Sequence, residues 1–144
     1  MKTNFLLLNQ GNKSGIRGVP SYSYFESNNN SVSSTIDPLI LQANITYDTG
    51  FSKMIPLTLI HGFSGSPTDF LQSDCRRLAS YGFFVIRPRM RGRGIPGSQD
   101  ASAREVYDIY DTVKWARSQF SFVSKDQWVC VGFSGGGGNT FSVV

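Results

Sequence analysis

The stretch Val129-Cys-Val-Gly-Phe-Ser-Gly-Gly-Gly-Gly-Asn139 decides how the chain is read. A short apolar run delivers one serine, Ser134, into a block of glycines. Gly132-Phe-Ser-Gly-Gly136 fits the pattern Gly-x-Ser-x-Gly behind a strand. The glycines answer a steric need: a serine on a sharp strand-to-helix turn requires tiny neighbours two residues to either side. A helix opening there aims free N–H groups and its positive end at whatever stands on the turn. Such a turn exposes the Ser134 hydroxyl and sets the Gly135 N–H where charge growing on an oxygen would be stabilised.

Rival readings of the glycines fare worse. A phosphate loop needs Gly-x4-Gly-Lys-Ser/Thr, and no lysine follows these glycines. No register of residues 132–139 supplies Gly-x-Gly-x-x-Gly. A merely flexible glycine-rich turn stays open on the pattern alone, and the elements around it weigh against that.

Working back from Ser134, the chain alternates strands and helices. Residues 39–48 alternate as a strand, and "TGFSK" is a turn. "IPLTLIHG" is a buried-strand pattern ending in glycine. A helix follows, capped by Ser66 with Pro67 in its first turn and Asp69 three residues after the cap. Phe70, Leu71, Cys75, Leu78 and Tyr81 recur at helical spacing, and Gly82 ends it. "FFVIRP" is another buried strand. Ser102 and Glu105 form a capping box, and Val106, Ile109, Tyr110, Val113, Ala116 and Phe120 make one helical stripe. "QWVCVGF" is the last strand. Residues 10–37, rich in Gly, Ser and Asn, carry no period and read as a loop or an ordered arm. The organisation expected is an arm at 1–38 and a domain at 39–144. The order implies an α/β fold, a mostly parallel sheet with helices on its faces. Ligands of such sheets bind at strand carboxyl ends. Both glycine-bounded sites, His61-Gly62 and Gly132 to Gly138, fall there.

The first of these, His61-Gly-Phe-Ser-Gly-Ser-Pro67, can supply a second oxyanion donor, the backbone N–H of Phe63. His61 is the only histidine in the sequence. It is not read as a catalytic base, because in this architecture the base follows the nucleophile. With Gly62 it is expected to shape the loop by hydrogen bonding.

Composition bounds the rest. At 144 residues with 40% hydrophobic content, the chain is long enough to hide roughly 68–70% of its unfolded surface. Much of the net charge of +4 comes from Arg87, Arg89, Arg91 and Arg93. The run has no interleaved aromatics, so no nucleic-acid partner is expected; the arginines cap helices or pair with carboxylates. Cys75 and Cys130 fit no zinc or redox spacing and read as buried thiols, and no metal site is expected. Three sequons, at Asn12, Asn29 and Asn44, matter only in a secreted protein. The apolar run within residues 1–8 is four residues, below the roughly 7–15 of a signal core, and nothing approaches a membrane span. A cytoplasmic location without membrane association is therefore expected, and the oligomeric state stays open.

"LTLIHGFSGSP", "LASYGFFVIRPRMRGRG", "SAREVYDIYDTVKWARSQ" and "VCVGFSGGG" together resemble the amino-terminal half of an α/β-hydrolase, from about residue 40 onward. Within that superfamily, the "RGRG…E…D…D…W" run and the extra glycines resemble serine peptidases of the prolyl oligopeptidase and X-Pro dipeptidyl-peptidase kind. Esterases and acyl hydrolases share similar features. The resemblance implies Ser134 as nucleophile and Gly135 and Phe63 as oxyanion donors. It implies a small-molecule or peptide substrate and no cofactor, since triad chemistry uses only protein groups. Where such proteins often have Pro-Asp, this chain has Pro88-Arg89. They also place their acid and histidine well beyond the elbow. The expectation is an incomplete α/β-hydrolase fold, truncated after the elbow and with little triad-dependent turnover by itself. The alternative is a degenerate, non-catalytic binding domain using the basic loop 87–93.

Overall fold

The computed structural model describes residues 22–63, 65–92 and 104–143. Among them, five strands form one sheet: β1 (Tyr24–Ser33), β2 (Ile40–Asp48), β3 (Ile55–Ile60), β4 (Phe83–Arg89) and β5 (Val129–Gly132). Their spatial order is β1-β2-β4-β3-β5. β3 runs parallel to β4 and β5, while β2 is antiparallel to β1 and β4. The flanking helices are α1 (Gln72–Ala79), α2 (Glu105–Gln119) and α3 (Gly135–Val143). None is long and apolar enough to cross a membrane.

Helices cover both faces of β3 and β4, which is why these strands read as apolar runs. Along β4, Phe84 and Ile86 pack with Val113 and Ala116 of α2. Val85, between them, packs the other way with Cys75 and Ala79 of α1. On β3, Leu57 and Leu59 share the α1 side, and Ile60 meets Ile109 of α2. The two-residue period of the strands thus sorts the core into two layers. On the α2 side, Tyr47, Phe84, Phe120 and Phe122 form an aromatic group with ring centroids 5.0–6.1 Å apart, within the favoured range for ring pairs.

Three expectations need correction. First, Tyr24–Ser33 lies in the stretch read as loop or arm, yet it pairs along β2 and belongs to the same sheet. Its period is hidden by a register shift between Ser27 and Asn30, and Asn29 adopts φ 56° there. The asparagines stabilise this bulge. The Asn29 N–H donates to Asn44 Oδ1 at 2.9 Å, and the Asn30 amide donates to the carbonyls of Ser27 and Ala43 at 3.2 and 2.9 Å. Second, the helix expected from Ser66 through Tyr81 is broken. Ser66 and Asp69 do form the capping box, but over one 3-10 turn, Pro67–Asp69. Phe70 is extended, Leu71 is not helical, and α1 begins at Gln72. Arg87 holds that break, donating to the Phe70 carbonyl at 3.4 Å and to Gln72 Oε1 at 2.8 Å. Third, Tyr110 is exposed at the edge of the α2 stripe, with its ring against Trp128. The cap Ser102 lies outside the described residues, as does Arg93.

Much of the basic run is internal. Arg87 and Arg91 are each 3% exposed, so these two arginines do not contribute to the open basic surface that a binding domain would use. Arg91 joins three elements. Its Nε and Nη2 donate to Asp108 Oδ1 on α2 at 3.0 and 2.6 Å, and its backbone N–H reaches Asp108 Oδ2 at 2.8 Å. Its other guanidinium nitrogen pairs with Asp37, between β1 and β2. Thr35 in the same connection donates to Asp111 from both its N–H and its hydroxyl. These bonds, the Asp108 contacts first, raise the Arg91 pKa. Asp108→Ala would strand a buried guanidinium, and urea unfolding is expected to show a loss of about 3–5 kcal/mol.

Hydrogen bonding from Arg91 holds the Asp37 carboxyl below the ordinary carboxylate range. A lowered folded-state pKa contributes stability above the unfolded value, and that contribution is lost as pH falls through the folded one. Unfolding midpoints are therefore expected to drop below about pH 4, and Asp37→Asn is expected to flatten that acid limb.

Candidate active site

β3 and β5 end side by side, with Ile60 opposite Gly132. The chain leaves β3 toward α1 on one face. It leaves β5 into α3, which packs with α2 on the other. The two loops diverge and leave a crevice at the strand ends.

Ser134 stands in that crevice with φ 54°, in the left-handed region. For a residue with a Cβ this conformation costs roughly 1–2 kcal/mol. The surroundings impose it. A Cβ on Gly132 would lie 2.1 Å from the Gly136 carbonyl oxygen. A Cβ on Gly136 would lie 2.4 and 2.5 Å from the carbonyl oxygens of Ile60 and His61. All of these obstacles are backbone and cannot swing aside. Hydrogen bonds close the turn: Gly136 N–H to Phe133 O and Gly137 N–H to Ser134 O, both 2.9 Å, and Phe133 N–H to Ile60 O at 3.1 Å. The Gly135 N–H, first in α3, has no intrahelical acceptor and makes no backbone hydrogen bond among the described residues.

The loop after β3 lies against the serine. A Cβ on Gly62 would be 3.2 Å from Ser134 Cβ and 3.6 Å from its Oγ. The Phe63 ring covers Gly135 so closely that a Cβ there would lie 2.3 Å from it. His61 is 1% exposed, and its Nδ1 lies 2.9 Å from the Gly62 carbonyl oxygen. Since a carbonyl only accepts, Nδ1 carries the proton and donates. All five residues expected at the site, His61, Gly62, Phe63, Ser134 and Gly135, thus occur together. Phe63 and Phe133 are about half exposed, and the Phe133 ring packs against Phe70 in a tilted arrangement, with centroids 5.6 Å apart.

Beside this turn is a narrow surface hollow lined by His61, Gly62, Phe63, Met90, Glu105, Gly135, Gly136 and Asn139. Glu105, Met90 and Asn139 are not among the site residues expected from the sequence. Cys75 is buried and Cys130 half-buried. Burial pushes the Cys130 thiol up to about 11 and raises that of Cys75, so neither offers a ready thiolate. Among the described residues no group of three or more His, Cys, Asp or Glu could hold a metal.

The glycines of α3 differ in what they permit. Gly138 has open space where a Cβ would go. Gly138→Ala is expected to stabilise the chain by roughly 1 kcal/mol in urea melts, because glycine is a poor helix former. Gly136→Ala is expected to destabilise it by about 2 kcal/mol or more and to displace the turn.

No family model and no curated protein matches the chain. Solved structures do share its architecture. An esterase from Pyrococcus furiosus superposes with a TM-score of 0.61 at 19% identity, over 85% of this chain and 47% of its own. A brefeldin A esterase, a bacterial homologue of human hormone-sensitive lipase, gives 0.64 at 18%, over 90% and 37%. An α/β hydrolase from Penicillium sp. sh18 gives 0.64 at 20%, over 84% and 41%. The chain spans less than half the length of each of these three. The likeness is one of fold: a mixed five-stranded sheet with flanking helices, part of the α/β-hydrolase fold.

Proposed function

We propose that the chain is the amino-terminal part of a serine hydrolase, with Ser134 as its nucleophile. The observation that carries this reading is the left-handed backbone of Ser134, φ 54°, between two glycines whose Cβ positions are blocked by main chain. Strain at a non-glycine residue persists where the structure over-determines it, and it marks functional turns.

The reaction would run as acyl transfer. Ser134 Oγ attacks the carbonyl carbon of an ester, amide or peptide bond as a base removes its proton. The tetrahedral oxyanion is held by the Gly135 and Phe63 N–H groups. The leaving group departs protonated, and water then cleaves the acyl-enzyme. His61 positions rather than reacts: it is buried, and Nδ1 is committed to the Gly62 carbonyl, which fixes the loop carrying Phe63. It is also the sequence's one histidine, so the proposal places the base and acid outside these 144 residues. Ester cleavage is favoured by the solved structures named as esterases. The sequence resemblance to prolyl oligopeptidase-like enzymes extends the range to amides and peptides. The substrate would be a small molecule or peptide, with no cofactor.

The encoded full-length protein should be treated with a fluorophosphonate and digested. The expected result is a modified peptide carrying Ser134, and a loss of roughly 10³-fold or more in p-nitrophenyl acetate hydrolysis for Ser134→Ala. Equal labelling and turnover in that variant would refute the nucleophile. Residues 1–144 alone are expected to show little Ser134-dependent turnover.

A further inference from the structure

The residue before Ser134 and the residue whose ring covers Gly135 are both phenylalanines. Phe133 is 57% exposed and Phe63 is 54% exposed. The elbow demands neither ring. Its steric rule fixes the glycines and leaves residue 133 open to any side chain. The oxyanion reading uses only the backbone N–H of Phe63. Yet the Phe63 ring is built into the turn. Three of its atoms lie 2.3–2.9 Å from where a Cβ on Gly135 would stand, so the residue after the serine lacks a side chain where the ring lies.

Phe133 is placed as firmly. Its N–H donates to the Ile60 carbonyl at 3.1 Å, and its own carbonyl accepts from the Gly136 N–H at 2.9 Å. Its ring packs on Phe70, with centroids 5.6 Å apart. Phe70 follows the 3-10 turn in an extended conformation, and Arg87 Nη1 donates to its carbonyl at 3.4 Å. The break between that turn and α1 thus sets the Phe70 ring against the residue before the serine. Exposed apolar side chains scattered singly are ordinary on a protein surface. Aromatic surface at the residues on both sides of one reactive hydroxyl is instead how a small-molecule site is lined.

We infer that Phe63, Phe133 and Phe70 form an aromatic wall that binds the acyl group of the substrate, and that this group is apolar, alkyl or arylalkyl. The wall depends on Ser134 being the nucleophile, as proposed above, and it specifies the substrate class of that site. Connectivity selects the acyl group. It stays bonded to Ser134 Oγ from attack until water releases it, whereas the leaving group departs after the first step. A wall carried by the elbow and the oxyanion loop stands beside it throughout. Whatever else the full-length protein packs here must leave Ser134 open to substrate. Phenyl rings offer no hydrogen-bond donor, so a charged acyl tail would shed water against them without replacement. Because the rings are half exposed, an acyl chain lying on them is covered on one side. About half the transfer free energy of a fully buried methylene then corresponds to roughly twofold in rate for each methylene added.

The full-length protein should be assayed on p-nitrophenyl acetate, hexanoate and 3-phenylpropionate, which share a leaving group and differ in the acyl chain. After correction for their rates with hydroxide, wild type is expected to favour the two longer esters over acetate in kcat/KM, on the order of tenfold. Phe133→Ala should cut that ratio severalfold, Phe70→Ala should cut it in part, and Phe133→Leu should restore most of it. Rings that served only the fold, or held the leaving group, or lay under another part of the protein would leave the ratio unchanged in Phe133→Ala. That result, or a wild type without acyl preference, overturns the inference. If Ser134 is neither labelled by fluorophosphonate nor needed for turnover, the nucleophile reading fails, and the wall is then read by binding. 3-Phenylpropanamide titrated into Ser134→Ala should give saturable shifts of the Phe63 and Gly135 amide resonances, absent with acetamide and absent when Phe133→Ala is added. Shifts that do not saturate, or that survive Phe133→Ala, would overturn the wall.

Discussion

The site depends on one contact between stretches of main chain. Gly136 rests on the carbonyl oxygens of Ile60 and His61, and Gly132 rests on Gly136. No side chain fits between them. This approach brings the end of β5 against the end of β3, and two features follow from it. Ser134 has no relaxed conformation available, and Gly62 is left within van der Waals reach of the serine. Two loops that the sequence separates by some seventy residues become one surface because of it. The strain at Ser134 is therefore held by rigid neighbours rather than by the serine's own hydrogen bonds.

A second constraint acts at a distance. Arg91 ties the connection between β1 and β2 to α2 through Asp37 and Asp108. Thr35 and Asp111 repeat the link one turn along the helix. The register of α2 against the sheet is set by these polar pairs as much as by Ile109, Val113 and Ala116. Since Glu105 begins the same helix, the pairs also fix where its carboxylate stands. A buried ion pair of this kind adds little net stability over an apolar contact of equal shape. It is intolerant of misplacement, however, and that intolerance makes it a positioning device.

Legibility in the sequence followed the range of the forces involved. The elbow was readable because its rule is local: glycine, any residue, serine, any residue, glycine, behind an apolar strand. β3 and β4 were readable for the same reason, as was the capping box of Ser66 and Asp69. β1 was not. Its bulge breaks the alternation, and its asparagines serve hydrogen bonds to β2 that no local window contains. The break at Phe70 and Leu71 depends on Arg87, seventeen residues further on. The arginine run showed its charge, but which arginines turn inward was settled by Asp108, Asp37 and Gln72. The capping box of Ser102 and Glu105 is a local pattern, whereas the approach of Glu105 to Met90 and Asn139 spans distances that no window of four residues contains.

The glycines of α3 carry a dynamic consequence. Gly135 and Gly136 are required by close contacts, whereas Gly137 and Gly138 have room for a Cβ. Four successive glycines give the first turn of α3 almost no helical preference of its own. Its order comes from packing against β5, β3 and α2. Its helical conformation is therefore held by those contacts and by the hydrogen bonds from the Gly136 and Gly137 N–H groups, not by its own preference. The amide beside Ser134 is thus a group whose direction is borrowed from its neighbours: whatever tightens α2 against α3 sharpens the dipole facing the serine, and whatever loosens that contact blurs it.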